Sequence, residues 1–227
     1  MRMAQLLQGD IRFQYKYGFY FIYLIFSALY ISLLFAFPEA WREKAAILMI
    51  FTDPSAMGLY FMGAIVLFEK SERVLDSIAV SPVKPAEYVL SKLVSIGLIA
   101  TLVALAIGSA AGAINHPFYF VIGVFLCSCL FSAVGLIVAC KTATLNQFVI
   151  ATIPAEILIN VPAVAWLFGY HKSWLIVHPG VCLMQLLSGD ANLAIALLIL
   201  LLWTALFYVL AGAAVTKMLK SVGGVKL

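Results

Sequence analysis

LVSIGLIATLVALAIGSAAGAINHPFYFVIGVFLCSCLFSAVGLIVACK, residues Leu93 to Lys141, carries no Asp, Glu, Lys or Arg before its final residue. Asn115, His116 and Pro117 break it with turn chemistry into two apolar runs, at about 93 to 113 and 118 to 139. Each run is close to the roughly 20 apolar residues that cross a bilayer's hydrocarbon as a helix. The stretch therefore predicts two membrane-spanning helices joined by a tight turn. Further runs of the same kind lie at about 147 to 169 and 191 to 213 on one side, and at about 46 to 68 and 17 to 37 on the other. The expected fold is all-α and integral to the membrane, with six transmembrane helices.

Composition agrees. Of 227 residues, 65% are apolar and 11% charged, and the mean hydropathy is +1.10, whereas soluble domains carry about 45–50% apolar and about 25% charged residues. A water-soluble globular domain is excluded. The longest segment outside the apolar runs is Glu69 to Lys92, which leaves no room for a soluble catalytic domain, so residues 1 to 227 read as one membrane domain. The cysteines, Cys127, Cys129, Cys140 and Cys182, show no metal-ligand spacing and read as small packing residues. The first sixteen residues mix polar and apolar side chains and lead into a run long enough to span, so that run is expected to be retained rather than cleaved.

Six spans put both termini on one side. With the N-terminus inside, the cytoplasmic segments hold Arg2, Arg12, Lys16, Lys70, Arg73, Lys84, Lys92, Lys141, Lys217, Lys220 and Lys226, leaving Arg42, Lys44 and Lys172 outside. The positive-inside rule favours this orientation, in the plasma membrane with both termini cytoplasmic. The net charge of +4 then reports topology and contact with anionic lipid, not nucleic acid.

The connectors are uneven. Asn115–Pro117 and Lys141–Asn146 are tight turns, but Tyr170 to Asp190 is long and contains Trp174, Leu175, Ile176, Val177, Val181, Leu183, Met184, Leu186 and Leu187. That is too apolar for a solvated loop and too short for a span, so an outer interfacial or re-entrant helix pair broken at Pro179-Gly180 is expected. Residues 1–16 place Met3, Leu6, Leu7 and Ile11 on one helical face, as an interfacial helix would.

The segment EKSERVLDSIAVSPVKPAEYVLSK, Glu69 to Lys92, has its own architecture. Val74, Leu75, Ile78 and Ala79 form an apolar stripe on a short helix. Ser81-Pro82 should stop that helix, and Pro85 should start the next, with Glu87 in its first turn. A helix so short gains little by itself in water. Its stripe wants a groove on a partner or at the lipid surface.

This loop resembles the one between the second and third spans of type-2 ABC transporter permeases. Glu69 and Lys70 match that family's opening Glu-Arg, Leu75 and Asp76 its Leu-Glu pair, Ile78 the next apolar position, Ser81-Pro82 the break, and Glu87 and Lys92 the end. Arg73 stands where the family has glycine, Val74 where it has threonine and Ser71 where it has its second glutamate. HPGVCLMQLLSG, His178 to Gly189, is similar to the family's outer segment. Among subgroups the loop looks most like small-drug exporters of the fluoroquinolone permease type. The resemblance implies a transport subunit, not an enzyme, exporting a drug-like, peptide or lipid substrate by alternating access. It implies a second permease, identical or not, and an ATP-binding partner subunit that holds ATP and Mg. Glu69, Arg73, Val74, Leu75, Ile78, Ser81, Pro82 and Glu87 would form the coupling segment that docks on that partner. The chain itself has no G-x-x-x-x-G-K-[ST] phosphate loop and no cofactor or metal motif.

Charges at membrane depth are costly and mark sites. Asp53 precedes Pro54 in the second span, and Glu156 lies mid-way along the fifth near Pro154, Asn160 and Pro162. The resemblance puts these two spans on the translocation path. A dimer would then offer both carboxylates to a cationic or zwitterionic substrate, with Trp166, Phe168, Tyr60 and Phe61 as aromatic partners. Structurally, Asp53 could instead cap a helix break, and Glu156 could be protonated and bonded to Asn160 at i+4. An ion-gradient-driven transporter using Asp53 and Glu156 is the alternative function. A membrane-embedded enzyme ranks below both, since no G-x-S-x-G, H-E-x-x-H or paired-aspartate motif is present. His116, His171 and His178 have no partners at metal or catalytic spacing.

Overall fold

The computed structural model describes residues 2–52, 57–189 and 192–222, which are helices joined by short turns. Five helices are long and apolar enough to cross a membrane: α2 (Phe19–Ala36), α6 (Pro85–Ala111), α7 (Pro117–Lys141), α8 (Leu145–Leu167) and α10 (Leu193–Val222). The described parts of the run expected as the second span are two helices. Residues Glu39–Ile50 form α3, Phe51 and Thr52 continue in a wider helical turn, and Met57–Ser71 form α4. Asp53 and Pro54 lie outside the described residues.

Local chemistry sets the ends. α1 (Arg2–Lys16) stops where Gly18 takes φ +76, and the chain re-enters a helix at once as α2. Pro38 precedes α3 and Pro117 opens α7, each at a position where a missing N–H costs nothing. Pro85 does the same for α6, where the Glu87 carboxylate accepts from the Lys84 backbone N–H at 2.9 Å. The short helix α5 (Val74–Val80) starts after Arg73, which holds a left-handed φ of 56, and ends where the Ser81 hydroxyl donates to the Ile78 carbonyl at 2.8 Å. Thr144 caps α8 by accepting from the Gln147 N–H at 3.3 Å. Both α5 and the Pro85 start match the sequence expectation.

α7 is the central helix: most of α7 and of α6 is buried, whereas α2, α8 and α10 are largely open, and α4, α6, α9 and α10 pack on α7. The α4–α7 seam is built on glycine. A Cβ on Gly58 would stand 2.6 Å from Ser132 Oγ, and one on Gly135 would strike the backbone carbonyl of Leu59. Only missing side chains let the two backbones approach this closely, as in other small-residue helix contacts in membranes.

The segment before the last long helix folds inward. A 3-10 turn, Ser173–Val177, leads to His178, and α9 (Pro179–Ser188) follows. The break falls one residue before the expected Pro179-Gly180, which instead form the first turn of α9, because proline is comfortable there. His178 Nε2 lies 3.1 Å from the Leu158 carbonyl oxygen, to which it donates as the Nε2–H tautomer, and Trp203 Nε1 donates to the Val177 carbonyl at 2.8 Å. Both contacts fall well within α8 and α10, so the turn sits about two and a half helical turns below the end of α8. From there α9 climbs back until Gly189 lies beside Asn115 and His116. Nearly all of α9 is buried.

Candidate transport path and coupling platform

Glu156 and Tyr60 meet between α8 and α4: the Tyr60 hydroxyl donates to Glu156 Oε2 at 2.7 Å. The Tyr60 ring stands edge-on to Phe148, and the Phe148 ring in turn fills the hollow at Gly63. The expected alternative partner for Glu156 is not used. Asn160 Oδ1 is buried without a hydrogen bond, and Tyr60 takes the carboxylate instead. Of the three long helices left most open, α2 carries no charged side chain, and α10 carries none until Lys217. Only α8 has a carboxylate in mid-length, among exposed Ile153, Ile157 and Leu158. That placement argues for a protein or aqueous neighbour on the Glu156 face rather than lipid.

The other path residues separate. Phe61 points to the opposite side of α4, packed edge-on against Phe19 and Tyr23 with centroids 5.0 and 4.8 Å away. Trp166 is 7% exposed, near the far end of α8, T-shaped to His171 at 4.9 Å, and lines a cavity with Phe168, Glu43 and Lys44. Asp53 lies outside the described residues.

At the opposite end of the molecule, which we call the base, Glu69 and Lys70 at the close of α4 and Glu72 just beyond it make a platform. Glu69 is buried and accepts from Lys92 Nζ at 2.6 Å and from the Tyr88 hydroxyl at 2.5 Å, both on α6. Lys92, 2% exposed, also donates to Asp10 of α1 at 2.9 Å. The Ser91 hydroxyl donates to the same Asp10, and Gln14 Nε2 donates to Ser95 Oγ at 2.8 Å. Lys70 Nζ reaches the last carbonyls of α7, Ala139 at 2.6 Å and Cys140 at 3.3 Å, and Thr142 just beyond at 2.8 Å. Capping a helix C-terminus with a cation satisfies orphan carbonyls and complements its dipole. Glu72 accepts from the Tyr17 hydroxyl at the α1–α2 joint, and this hydrogen bond, together with burial, raises the phenol's pKa.

α5 hangs from this platform, and its inner face differs from the expected docking stripe. Leu75 is 2% exposed, packed into the chain's own core, and Val74, Ile78 and Ala79 are half-buried beside it. The stripe thus covers a groove of its own chain rather than waiting for a partner. Arg73, Asp76, Ser77 and Pro82 face outward with Val80, which is 86% exposed. Ile78, Val83 and Pro85 line a cavity together with Thr216, Leu219 and Lys220 at the end of α10.

Sequence reading missed Asp10, Lys92, Tyr88 and Ser91 as a cluster. One local signal was present: Asp10 and Gln14 stand at i and i+4 on the same side as Leu6 and Leu7, whereas Ile11, read as part of the interfacial helix's apolar face, is 36% exposed. A polar pair on an otherwise buried face calls for partners.

A family model described as the fluoroquinolones export permease protein family matches residues 1–222 of this chain. The chain belongs to that family. Two curated relatives, both called fluoroquinolones export permease protein, come from Mycobacterium tuberculosis strains CDC 1551 / Oshkosh and ATCC 25618 / H37Rv. Each is 26% identical over 165 residues, covering 72% of this chain and 70% of the relative. The permease is accordingly a multi-pass membrane protein of an export family, and its resemblance to ABC permeases agrees with that placement.

Proposed function

We propose that this permease is the membrane subunit of an ATP-driven exporter of planar, charged drug molecules of the fluoroquinolone kind. It works beside a second permease and is driven by a separate ATP-binding subunit that carries ATP and Mg. α3 and α4 together make the sixth crossing. Both termini, α1 and α5 lie in the cytoplasm, where the basic residues concentrate, and α9 is re-entrant from the outside. The observation that carries the reading is the mounting of α5. A helix of seven residues has almost no stability of its own, yet the chain just before it is fastened at Glu69, Lys70 and Glu72 to α6, α7 and the α1–α2 joint. A push on α5 is passed to several long helices at once, as a coupling element requires. Substrate passes the Glu156–Tyr60 pair between two copies, the ammonium end attracted to the carboxylate.

The test is co-purification from the native membrane in mild detergent, followed by an ATPase assay. Recovery of a Walker-motif subunit whose vanadate-sensitive hydrolysis depends on this chain, and is stimulated by a fluoroquinolone, supports the proposal. Absence of any ATPase, with quinolone efflux collapsed by a protonophore, would replace it with gradient-driven transport through Glu156.

A further inference from the structure

Beyond the mid-membrane carboxylate, the molecule holds a second place suited to the same cargo. Between α3, the end of α8 and the end of α9 lies a cavity of about 330 Å³, lined by Glu43, Lys44, Ile47, Trp166, Phe168 and His171. That volume lies at the lower end of the range that small-molecule sites occupy, about 300–1,000 Å³. We propose that this cavity is an outer station for a planar aromatic zwitterion, occupied after the molecule has passed Glu156. The inference rests on the export reading above and on its orientation.

The walls supply one part of the recognition. Trp166 and Ile47 are buried, and the indole is fixed by the T-shaped contact with His171, with rings at 85°. A rigid aromatic wall suits a flat fused ring and loses little side-chain entropy on binding. Charge supplies the other part. Glu43 and Lys44 are consecutive on α3, so their side chains leave the helix about 100° apart, and both reach the cavity. Asn115 Nδ2 donates to Glu43 Oε1 at 3.2 Å and holds that carboxylate in place. A ligand bearing only one charge meets an unlike and a like charge together. A zwitterion offers an ammonium to Glu43 and a carboxylate to Lys44.

Exposure of both charged residues keeps the electrostatic gain small, as a station that must release its occupant requires. Position supports the assignment as well. Trp166 lies ten residues after Glu156 on α8, a rise of about 15 Å. The two stations are thus the middle and the outer end of one helix.

The test uses three probes: ciprofloxacin, its ethyl ester, which keeps only the cation, and its N-acetyl form, which keeps only the anion. Binding is read by quenching of Trp166 in purified Trp41→Phe/Trp174→Phe/Trp203→Phe permease. Should that protein aggregate, the drugs' own fluorescence anisotropy is followed on wild type against Trp166→Phe. Saturable quenching is expected, tightest for the zwitterion. Glu43→Gln should weaken ciprofloxacin and its ester by about two- to fivefold and spare the N-acetyl form, and Lys44→Gln should do the converse.

No saturable signal, or equal binding of all three probes unaffected by both variants, overturns the proposal. The export reading is scored separately, by ciprofloxacin transport into vesicles holding the permease and its ATPase. Transport without Trp166 quenching sinks the outer station alone. Charge-selective quenching without transport keeps the station as a binding site and sinks the export reading.

Discussion

Replacing Lys92 by methionine isolates the energetics of the platform. The ammonium is 2% exposed and is shared by Asp10 at 2.9 Å and Glu69 at 2.6 Å, with Glu69 itself 6% exposed. Methionine keeps most of the volume but leaves two carboxylates in a buried space with only the hydroxyls of Ser91 and Tyr88 to answer them. Removing one partner of a buried ion pair costs about 3–5 kcal/mol. At about 2–4 °C of melting temperature per kcal/mol for a chain of this size, the variant should melt about 6–20 °C below wild type. α1 should also come loose, since Lys92–Asp10 is one of three side-chain hydrogen bonds that tie it to α6, and limited trypsin should then cut after Arg12 or Lys16 in membranes where wild type resists. Thermal scanning in detergent and proteolysis of sealed vesicles read the two effects. The triple variant Asp10→Asn/Glu69→Gln/Lys92→Met carries no buried charge at the cluster and should recover most of the loss. A single variant melting within about 2 °C of wild type, or a triple variant no better than the single one, would refute the account.

Three further outcomes are expected. Leu75→Asp should prevent folding, because it buries an unpaired charge, whereas Val80→Asp should change stability by less than about 0.5 kcal/mol and abolish stimulation of the partner's ATPase; coupling unchanged in a folded Val80→Asp protein would remove α5's outer face from the docking surface. Glu156→Gln should slow export of cationic quinolones about three- to tenfold more than export of a neutral analogue, and Tyr60→Phe should give a smaller loss in the same direction, since a hydrogen bond to a charged group is worth about 1.5–3 kcal/mol; equal losses for both substrates assign Glu156 a structural role. Gly135→Val should drive α7 off the Leu59 carbonyl and cost about 1–3 kcal/mol or more, seen as a lower melting temperature or loss of the monodisperse species.

Much of the architecture was legible because membrane physics makes it so. Runs such as 93–113 and 118–139 have no charge to place, and length alone identifies them as long helices. Turn chemistry located α5 and the start of α6 correctly, since Ser81-Pro82 and Pro85 act through local sterics. The start of α3 at Glu39 was not legible, because Glu39, Arg42, Glu43 and Lys44 lower the hydropathy of its first turns. The stripe on α5 was read correctly as apolar and wrongly as free. Periodicity reports that Leu75 must be covered, not whether the cover is a partner or the chain's own core. Of the candidate path, Glu156 is held by Tyr60 and not by the expected Asn160, and Phe61 faces away from both, since one position along a helix turns a side chain by about 100°. The Asp10–Lys92 contact joins residues 82 positions apart. No local pattern encodes such a pairing.

The inward course of α9 has a consequence for how the molecule is made. A chain inserted helix by helix would deliver Tyr170–Gly189 before α10, yet the carbonyl at the bottom of that hairpin, Val177, is held by Trp203 of α10. α9 packs on α7, α8 and α10 together, so its slot has only part of its wall until the last helix has entered. Until then the backbone polar groups of the hairpin turn have no complete partner at membrane depth, and the segment waits at the surface. Maturation thus has a final step that follows insertion: the seating of α9 as a wedge into an otherwise assembled bundle. A chain cut before Leu193 would keep its earlier helices and leave that wedge unseated.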